Sequence, residues 1–264
     1  MANTSHQASH PLTRRRLVHS AAWSMPIVSL AATAPALAAS GCHQYVLDYS
    51  TWSRTSVSAG SGVATSATGA PITVTVTSTP DTGVTLLDAT SGANLRPINT
   101  VVDIDPSNTT KRRSLPLFQR APRNSGQTAT VNFTSGGAPI AVRNLTFAIG
   151  DIDGTADQHW PHVGQGSYLD AIALTGSFTW SPGRAPMVSG VDVSTGVGSL
   201  TTPWSVSKSF QNDIYGTNAA YEVVATYPGP LTSFGLRYTN VLWLDRPGTD
   251  QVVVLSRLFF EVCT

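Results

Sequence analysis

Alternation of apolar and polar residues is the dominant pattern of this chain. Between Pro71 and Thr77, Ile72, Val74 and Val76 alternate with three threonines. That two-residue period is the mark of a strand with one face turned inward. His43 to Tyr49 repeats it with Tyr45 and Leu47, Gln127 to Phe133 with Ala129, Val131 and Phe133, and the next run with Leu145, Phe147 and Ile149. Further strands are expected at Gly83–Leu87, Asn99–Ile104, Tyr168–Leu174, Ala219–Tyr227 and Ser233–Tyr238, with shorter ones at Phe178–Trp180, Met187–Val193 and Trp204–Phe210. The last run, Gln251 to Val262, is apolar on both faces, which predicts a central strand covered on both sides. Gly, Pro, Asn and Asp clusters separate the runs, and no helical period competes with them. The pattern predicts an all-β, antiparallel sandwich of jelly-roll-like form, built as a single domain over residues 39–264.

Two stretches break the alternation. Residues 52–70 are rich in Ser, Gly, Thr and Ala and read as a flexible loop. Lys111 to Arg123 reads as a basic loop broken by Pro116 and Pro122, a solvated segment or a contact for an anionic polymer.

The N-terminal segment has a different character. Arg14, Arg15 and Arg16 precede a mildly apolar run, Ala21 to Ala36, and a small-residue site at Ala36-Leu37-Ala38. This layout predicts a twin-arginine signal peptide over residues 1–38 and a secreted protein. His19, Ser20, Ser24, Pro26 and Ser29 interrupt the run, so no transmembrane segment is expected. Removing the signal leaves 13 basic side chains against 15 acidic ones. That balance offers no electrostatic footprint for nucleic acid.

The chain has two cysteines, Cys42 and Cys263, near opposite ends of the exported part. In an oxidising compartment the pair predicts a disulfide joining the N- and C-terminal strands. The alternative is a lipid anchor at Cys42, because Ala39-Ser40-Gly41-Cys42 loosely matches a lipobox. That reading would leave Cys263 unpaired, and Ala39 stands where leucine is usual.

Candidate chemistry gathers between Val142 and Gly176. Asp151-Ile152-Asp153-Gly154 would place two carboxylates on one strand face before a glycine turn, with Asp157 and Asp170 to complete an oxygen cage. Carboxylates held together repel each other until a cation neutralises them, and Ca²⁺ prefers such oxygens. The plainer reading is that these acids end a strand and form Asx-turns. The calcium-loop pattern is incomplete, since His162 stands where a glutamate would be needed. Asp103-Ile104-Asp105 repeats the spacing, as a strand end or a second site. His159, Trp160 and His162, with Tyr168, form a candidate ligand-binding loop, and with Asp157 or Asp170 the histidines offer a transition-metal alternative. Trp52, Trp180, Trp204 and Trp243 fall near strand ends, where aromatic faces serve either packing or sugar stacking. Motifs for a nucleophile elbow, a phosphate-binding loop or a Ser-x-x-Lys site are missing. A glycan hydrolase built on paired carboxylates, with Glu222 or Glu261, leaves no local motif and stays open.

The run Leu145 to Asp153, followed by Tyr168-Leu169-Asp170-Ala171-Ile172, resembles a β-sandwich module of actinobacterial surface proteins exported by the twin-arginine route. In that module an apolar strand ends in Asp-Ile-Asp. Phe234-Gly235-Leu236-Arg237-Tyr238 and Gln251 to Ser256 are similar to its closing strands. The resemblance implies a secreted β-sandwich of adhesin-like, mostly uncharacterised kind. The expected function is a binding protein directed at carbohydrate or cell-wall polymer, with a purely structural envelope protein as an alternative. Such surface proteins often end in a sorting motif and anchor, a pattern not seen at Cys263-Thr264.

Overall fold

A computed structural model describes residues 41–89, 92–105, 107–155, 168–183, 196–205, 222–242 and 250–263. The twin-arginine segment expected over residues 1–38 lies outside them, as do Met187–Val193 and Trp243. The principal strands are β1 (Cys42–Leu47), β2 (Ser53–Ser56), β3 (Ala59–Ala64), β4 (Ile72–Pro80), β5 (Arg112–Arg120) and β6 (Gly126–Ser135). They continue as β7 (Arg143–Gly150), β8 (Tyr168–Leu174), β9 (Glu222–Tyr227), β10 (Ser233–Asn240), β11 (Asp250–Leu255) and β12 (Leu258–Cys263). No helix occurs among the described residues, and therefore none long and apolar enough to cross a membrane.

These strands form two antiparallel sheets. In the first, β7 lies between β9 and the C-terminal pair β11 and β12, with β5 beside β11 and β1 beside β12. The second runs β8-β10-β6-β4-β3-β2. From β5 to β11 the principal strands alternate between the sheets, which gives the sandwich its jelly-roll-like form. The inward rows are those the alternation marks. Ile72, Val74 and Val76 meet Leu145, Phe147 and Ile149, with Phe133, Phe234 and Phe260 between them, in one buried core. Ring pairs such as Phe147–Phe234 and Phe133–Phe260, both with centroids 5.1 Å apart, fill its centre.

The C-terminal strand is central, as its composition suggests, but it is broken. Ser256 and Arg257 separate β11 from β12. At the break the Ser256 amide donates to the Ala148 carbonyl (2.9 Å), and the Ser256 hydroxyl accepts from the Ala148 amide (2.8 Å). A side chain thus replaces the missing backbone acceptor of the ladder. Burial on both faces holds only over Val253, Val254 and Leu255. Val254 joins Val102 and Ala148 in a small second core on the far side of the first sheet. Asp103 flanks that core. Its carboxylate pairs with Arg257 (2.9 Å) and accepts from Asn108 (3.0 Å), so this acid is a structural ion pair with its counter-charge built in.

Both stretches read as loops are strands. Residues 52–70 contain the β2–β3 hairpin, with its small residues packed under an aromatic ring. The expected basic loop is β5. Its residues Leu115 and Leu117 are fully buried, and it pairs with β11 from Asp250↔Arg120 to Leu255↔Leu115. Pro116 is tolerated because short strands cover the other edge of β5 only at its ends, Ile98–Thr100 and Thr85–Leu86. In the gap between them the Leu95 amide donates to the Pro116 carbonyl (2.9 Å), and Asn94 Oδ1 accepts from the Phe118 amide (2.9 Å).

Cys42 and Cys263 form a disulfide that joins the first strand to the last. With its sulfur so bonded, Cys42 has no thiol for a lipid thioether, and the lipid-anchored alternative is corrected on that ground. Cys42, Glu261 and Cys263 lie within 4.8 Å of one another at their tips, yet bonded sulfurs offer no thiolate for a metal. Closing about 220 residues contributes roughly 5 kcal/mol on a chain-entropy account. Cys42→Ser with Cys263→Ser should therefore lower the unfolding free energy in urea by about 3–5 kcal/mol. A loss below about 1 kcal/mol would show that strand pairing alone closes the sandwich.

Candidate functional site

The first sheet ends at Gly150, and the chain then crosses toward the edge of the second. Asp151 takes a left-handed backbone conformation (φ 66°), and Ile152 drops into the core with no exposure. Burying that isoleucine carries both neighbours inward, so Asp151 and Asp153 are buried as well (3% and 2% exposed). Gly154 and Thr155 then pair with Leu169 and Tyr168 of β8, and the Asp170 amide donates to the Asp153 carbonyl (2.9 Å). The two acids are therefore gathered by a strand crossing. They do not share the face of one strand, as the sequence pattern suggested. Gly154 does not serve a turn either. A Cβ there would stand 2.4 Å from Leu169 Cδ2 and 2.8 Å from the Tyr168 carbonyl, so glycine is needed for close approach of the two chains.

Asp170 is fully buried on β8, opposite Asn240 of β10. Its Oδ1 accepts from the Tyr238 hydroxyl (2.8 Å), and its Oδ2 accepts from the Asp153 amide (3.3 Å). Both donors are uncharged. Asp153 Oδ1 accepts from the Tyr168 hydroxyl (2.8 Å). Asn240 holds the neighbouring chains in place. Its Oδ1 accepts from the Leu169 and Leu242 amides (3.2 and 3.1 Å), and its Nδ2 donates to the Ala121 carbonyl (2.9 Å).

Burial pushes the Asp170 carboxyl well above the ordinary carboxylate range, and the charges of Asp153 and Asp151 push it further. The Tyr238 hydroxyl and the Asp153 amide act in the opposite direction without cancelling that rise. Burial and the nearby carboxylates also raise the Tyr168 and Tyr238 hydroxyls, so both remain donors across the physiological range. The Asp170 carboxyl can settle its charge by holding a proton or by sharing a hard cation through its oxygens.

Asp153 meets Asp170 through its amide, and Asp151 lies near enough for its charge to act on Asp170, but the three acids do not offer oxygens that all lie within 4.8 Å of one another. Asp157, His159, Trp160 and His162 lie outside the described residues. Tyr168, expected to face a ligand, is instead buried and directs its hydroxyl to Asp153. Tyr238 was missed. Its signal was the row Phe234, Leu236 and Tyr238 on one strand face, which places a polar hydroxyl at the end of an inward apolar row. Glu222 is fully buried, and Glu261 accepts from Gln44 and from Asn144 (2.9 Å). Trp204 is fully buried, with Trp180 packed on it at 5.6 Å, so this pair serves the core. No protein-family model matches the chain, and no curated protein or solved structure matches it either.

The raised Asp170 carboxyl fixes the sign of a pH effect. The folded protein keeps this proton above the pH, about 3.9, at which the unfolded chain releases it. The stability attached to the proton is fully present below that value and is lost as pH rises toward the folded-state value. Asp170→Asn removes the titration and can keep the Tyr238 and Asp153 contacts. In chelator, the unfolding free energy of Asp170→Asn should gain on wild type between about pH 4 and pH 8, by roughly 1.4 kcal/mol per unit of raised pKa. Asp81 is held low by Arg237 and acts in the opposite sense, but it is common to both proteins and drops out of the difference. A difference that stays flat with pH would show that Asp170 ionises normally.

Proposed function

We propose that this chain is an exported β-sandwich binding protein. In this reading the Asp151–Asp153–Asp170 cluster holds Ca²⁺, and the protein engages carbohydrate or cell-wall polymer outside the cell. The observation that carries the cation reading is three buried acids on adjoining segments, with Asp153 and Asp151 near enough to raise the Asp170 carboxyl. Oxygen donors at the meeting of two chain segments suit a hard divalent ion, which would neutralise the cluster and tie β8 to the end of β7.

The export reading is supported by Arg14, Arg15 and Arg16 ahead of an apolar run, and by a disulfide of the kind that persists in oxidising compartments. For a glycan-acting hydrolase, buried Glu222 and the tethered Glu261 add no support.

Ca²⁺ at about 100 times its dissociation constant should stabilise the fold by roughly 2.7 kcal/mol. For a domain of this size that raises the melting temperature by about 5–10 °C over chelator. Asp153→Asn with Asp170→Asn should abolish the shift. Identical wild-type melting curves in Ca²⁺ and chelator would end the cation reading. A binding screen against glycans and cell-wall fractions, with and without chelator, tests the partner class.

A further inference from the structure

Several inward rows of both sheets run into polar side chains at one end of the sandwich. Ser78 follows Ile72, Val74 and Val76 on β4, and Gln119 follows Leu115 and Leu117 on β5. Gln127 precedes Ala129, Val131 and Phe133 on β6, and Gln251 precedes Val253 and Leu255 on β11. We propose that this end binds an ordered water molecule inside the sandwich, held by Gln119 and Gln251 of the first sheet and Gln127 of the second. The proposal stands apart from the cation reading, because none of the three acids takes part in it.

Strand pairing gathers these residues. Gln119 lies opposite Gln251, and Gln127 lies opposite Tyr238. Ser78 is opposite Ala129, the next inward residue after Gln127. Residues 121–125 carry the chain from β5 in the first sheet to β6 in the second, so Gln119 and Gln127 flank one crossing. Asn240 clamps it: the Asn240 amide donates to the Ser125 carbonyl (3.0 Å) and Nδ2 to the Ala121 carbonyl (2.9 Å). Across the interior β5 and β6 approach within 8 Å between Cα atoms.

The three glutamines are closed to bulk solvent, Gln119 and Gln127 at 0% exposure and Gln251 at 1%. Gln119 Nε2 donates to Gln251 Oε1 across a long 3.4 Å, and the Ser78 hydroxyl donates to Gln127 Oε1. Gln119 Oε1, Gln251 Nε2 and Gln127 Nε2 then meet no partner among the described residues. Buried amide groups are strongly disfavoured without partners. One acceptor and two donor groups are what a single water can answer, by donating once and accepting twice. That makes about three bonds, the usual number for a buried water. Turning over both amides of the Gln119–Gln251 pair leaves one donor and one acceptor again, so the need is the same whichever way they face. A hard cation would find one neutral carbonyl oxygen and opposing amide hydrogens. An anion would find no cation among these inward side chains. Gln127 also stands beside Tyr238, whose hydroxyl donates to Asp170 Oδ1 (2.8 Å). Water on Gln127 would therefore hydrate the neighbour of the group that holds the buried acid.

Nuclear magnetic resonance on the purified protein in chelator tests the proposal without any cation. Cross-relaxation from water to the side-chain amide protons of Gln127 and Gln251 should carry the sign of a long-lived contact. Relaxation dispersion of oxygen-17 in the solvent, which an exchanging hydroxyl proton cannot imitate, should report internal water in the wild type. Gln119→Leu with Gln251→Leu removes the amide pair and keeps the bulk of the side chains. In that variant the oxygen-17 signal should fall by about the share of one buried water. A cooperative melting transition shows that the variant is folded, and if it is not, the wild-type cross-relaxation decides alone. Two results would overturn the proposal: a wild-type Gln127 or Gln251 amide with no long-lived water contact, or an oxygen-17 signal unchanged in the folded variant.

Discussion

A carboxyl buried inside a β-sandwich must settle its charge, and the described structure around Asp170 is arranged about that requirement. Burying Ile152 contributes about 1.5–3 kcal/mol. Burying an unneutralised carboxylate costs several kcal/mol. Asp151 and Asp153 therefore cannot be passive neighbours of an apolar plug. The Tyr238 hydroxyl and the Asp153 amide give the Asp170 oxygens donors but bring no positive charge. Asp103 shows the other solution. Almost as deeply buried, it has Arg257 at 2.9 Å, and Arg257 in turn lies over the Phe259 ring at 5.0 Å. One acid comes with a side-chain cation, whereas Asp170 has neutral hydrogen-bond partners and a raised carboxyl.

Both candidate sites draw on the two sheets together. The carboxylate cluster joins the end of β7 in the first sheet to β8 in the second, through the pairing of Gly154 with Leu169. The glutamine-lined end joins β6 of the second sheet to β5 and β11 of the first. A sandwich whose chain alternates between layers produces such junctions, and residues there can be placed by two frameworks at once. The disulfide from β1 to β12 closes the same sandwich at its chain ends. A ligand at either junction would meet side chains already fixed by the fold.

Much of the fold was legible because one-sided burial leaves a two-residue period. Ile72, Val74, Val76, Ala129, Val131 and Phe133 all lie inward as that period requires. Where the period was hidden, the strand was missed. β5 begins with two arginines and contains Pro116, yet Leu115 and Leu117 are among the best-buried residues. In β3, Gly60 and Gly62 supply no apolar side chain because Trp52 fills the space instead, so long-range packing replaces the local signal. The acids of the candidate site were legible as a group from composition and spacing. Their means of assembly was not, because it depends on a positive φ at Asp151 and on a strand pairing seventeen residues away. Tyr238 joins them across sixty-eight residues, a separation that leaves no trace in a local pattern.

The claim that the cluster exchanges a proton for a cation can be read at Asp170 itself. The carboxyl carbon of Asp170, followed by ¹³C nuclear magnetic resonance across a pH titration in chelator, should ionise well above the ordinary carboxylate range. Adding Ca²⁺ should move that ionisation to lower pH and release protons to solution. Ionisation in the ordinary carboxylate range, unchanged by Ca²⁺, would contradict the account.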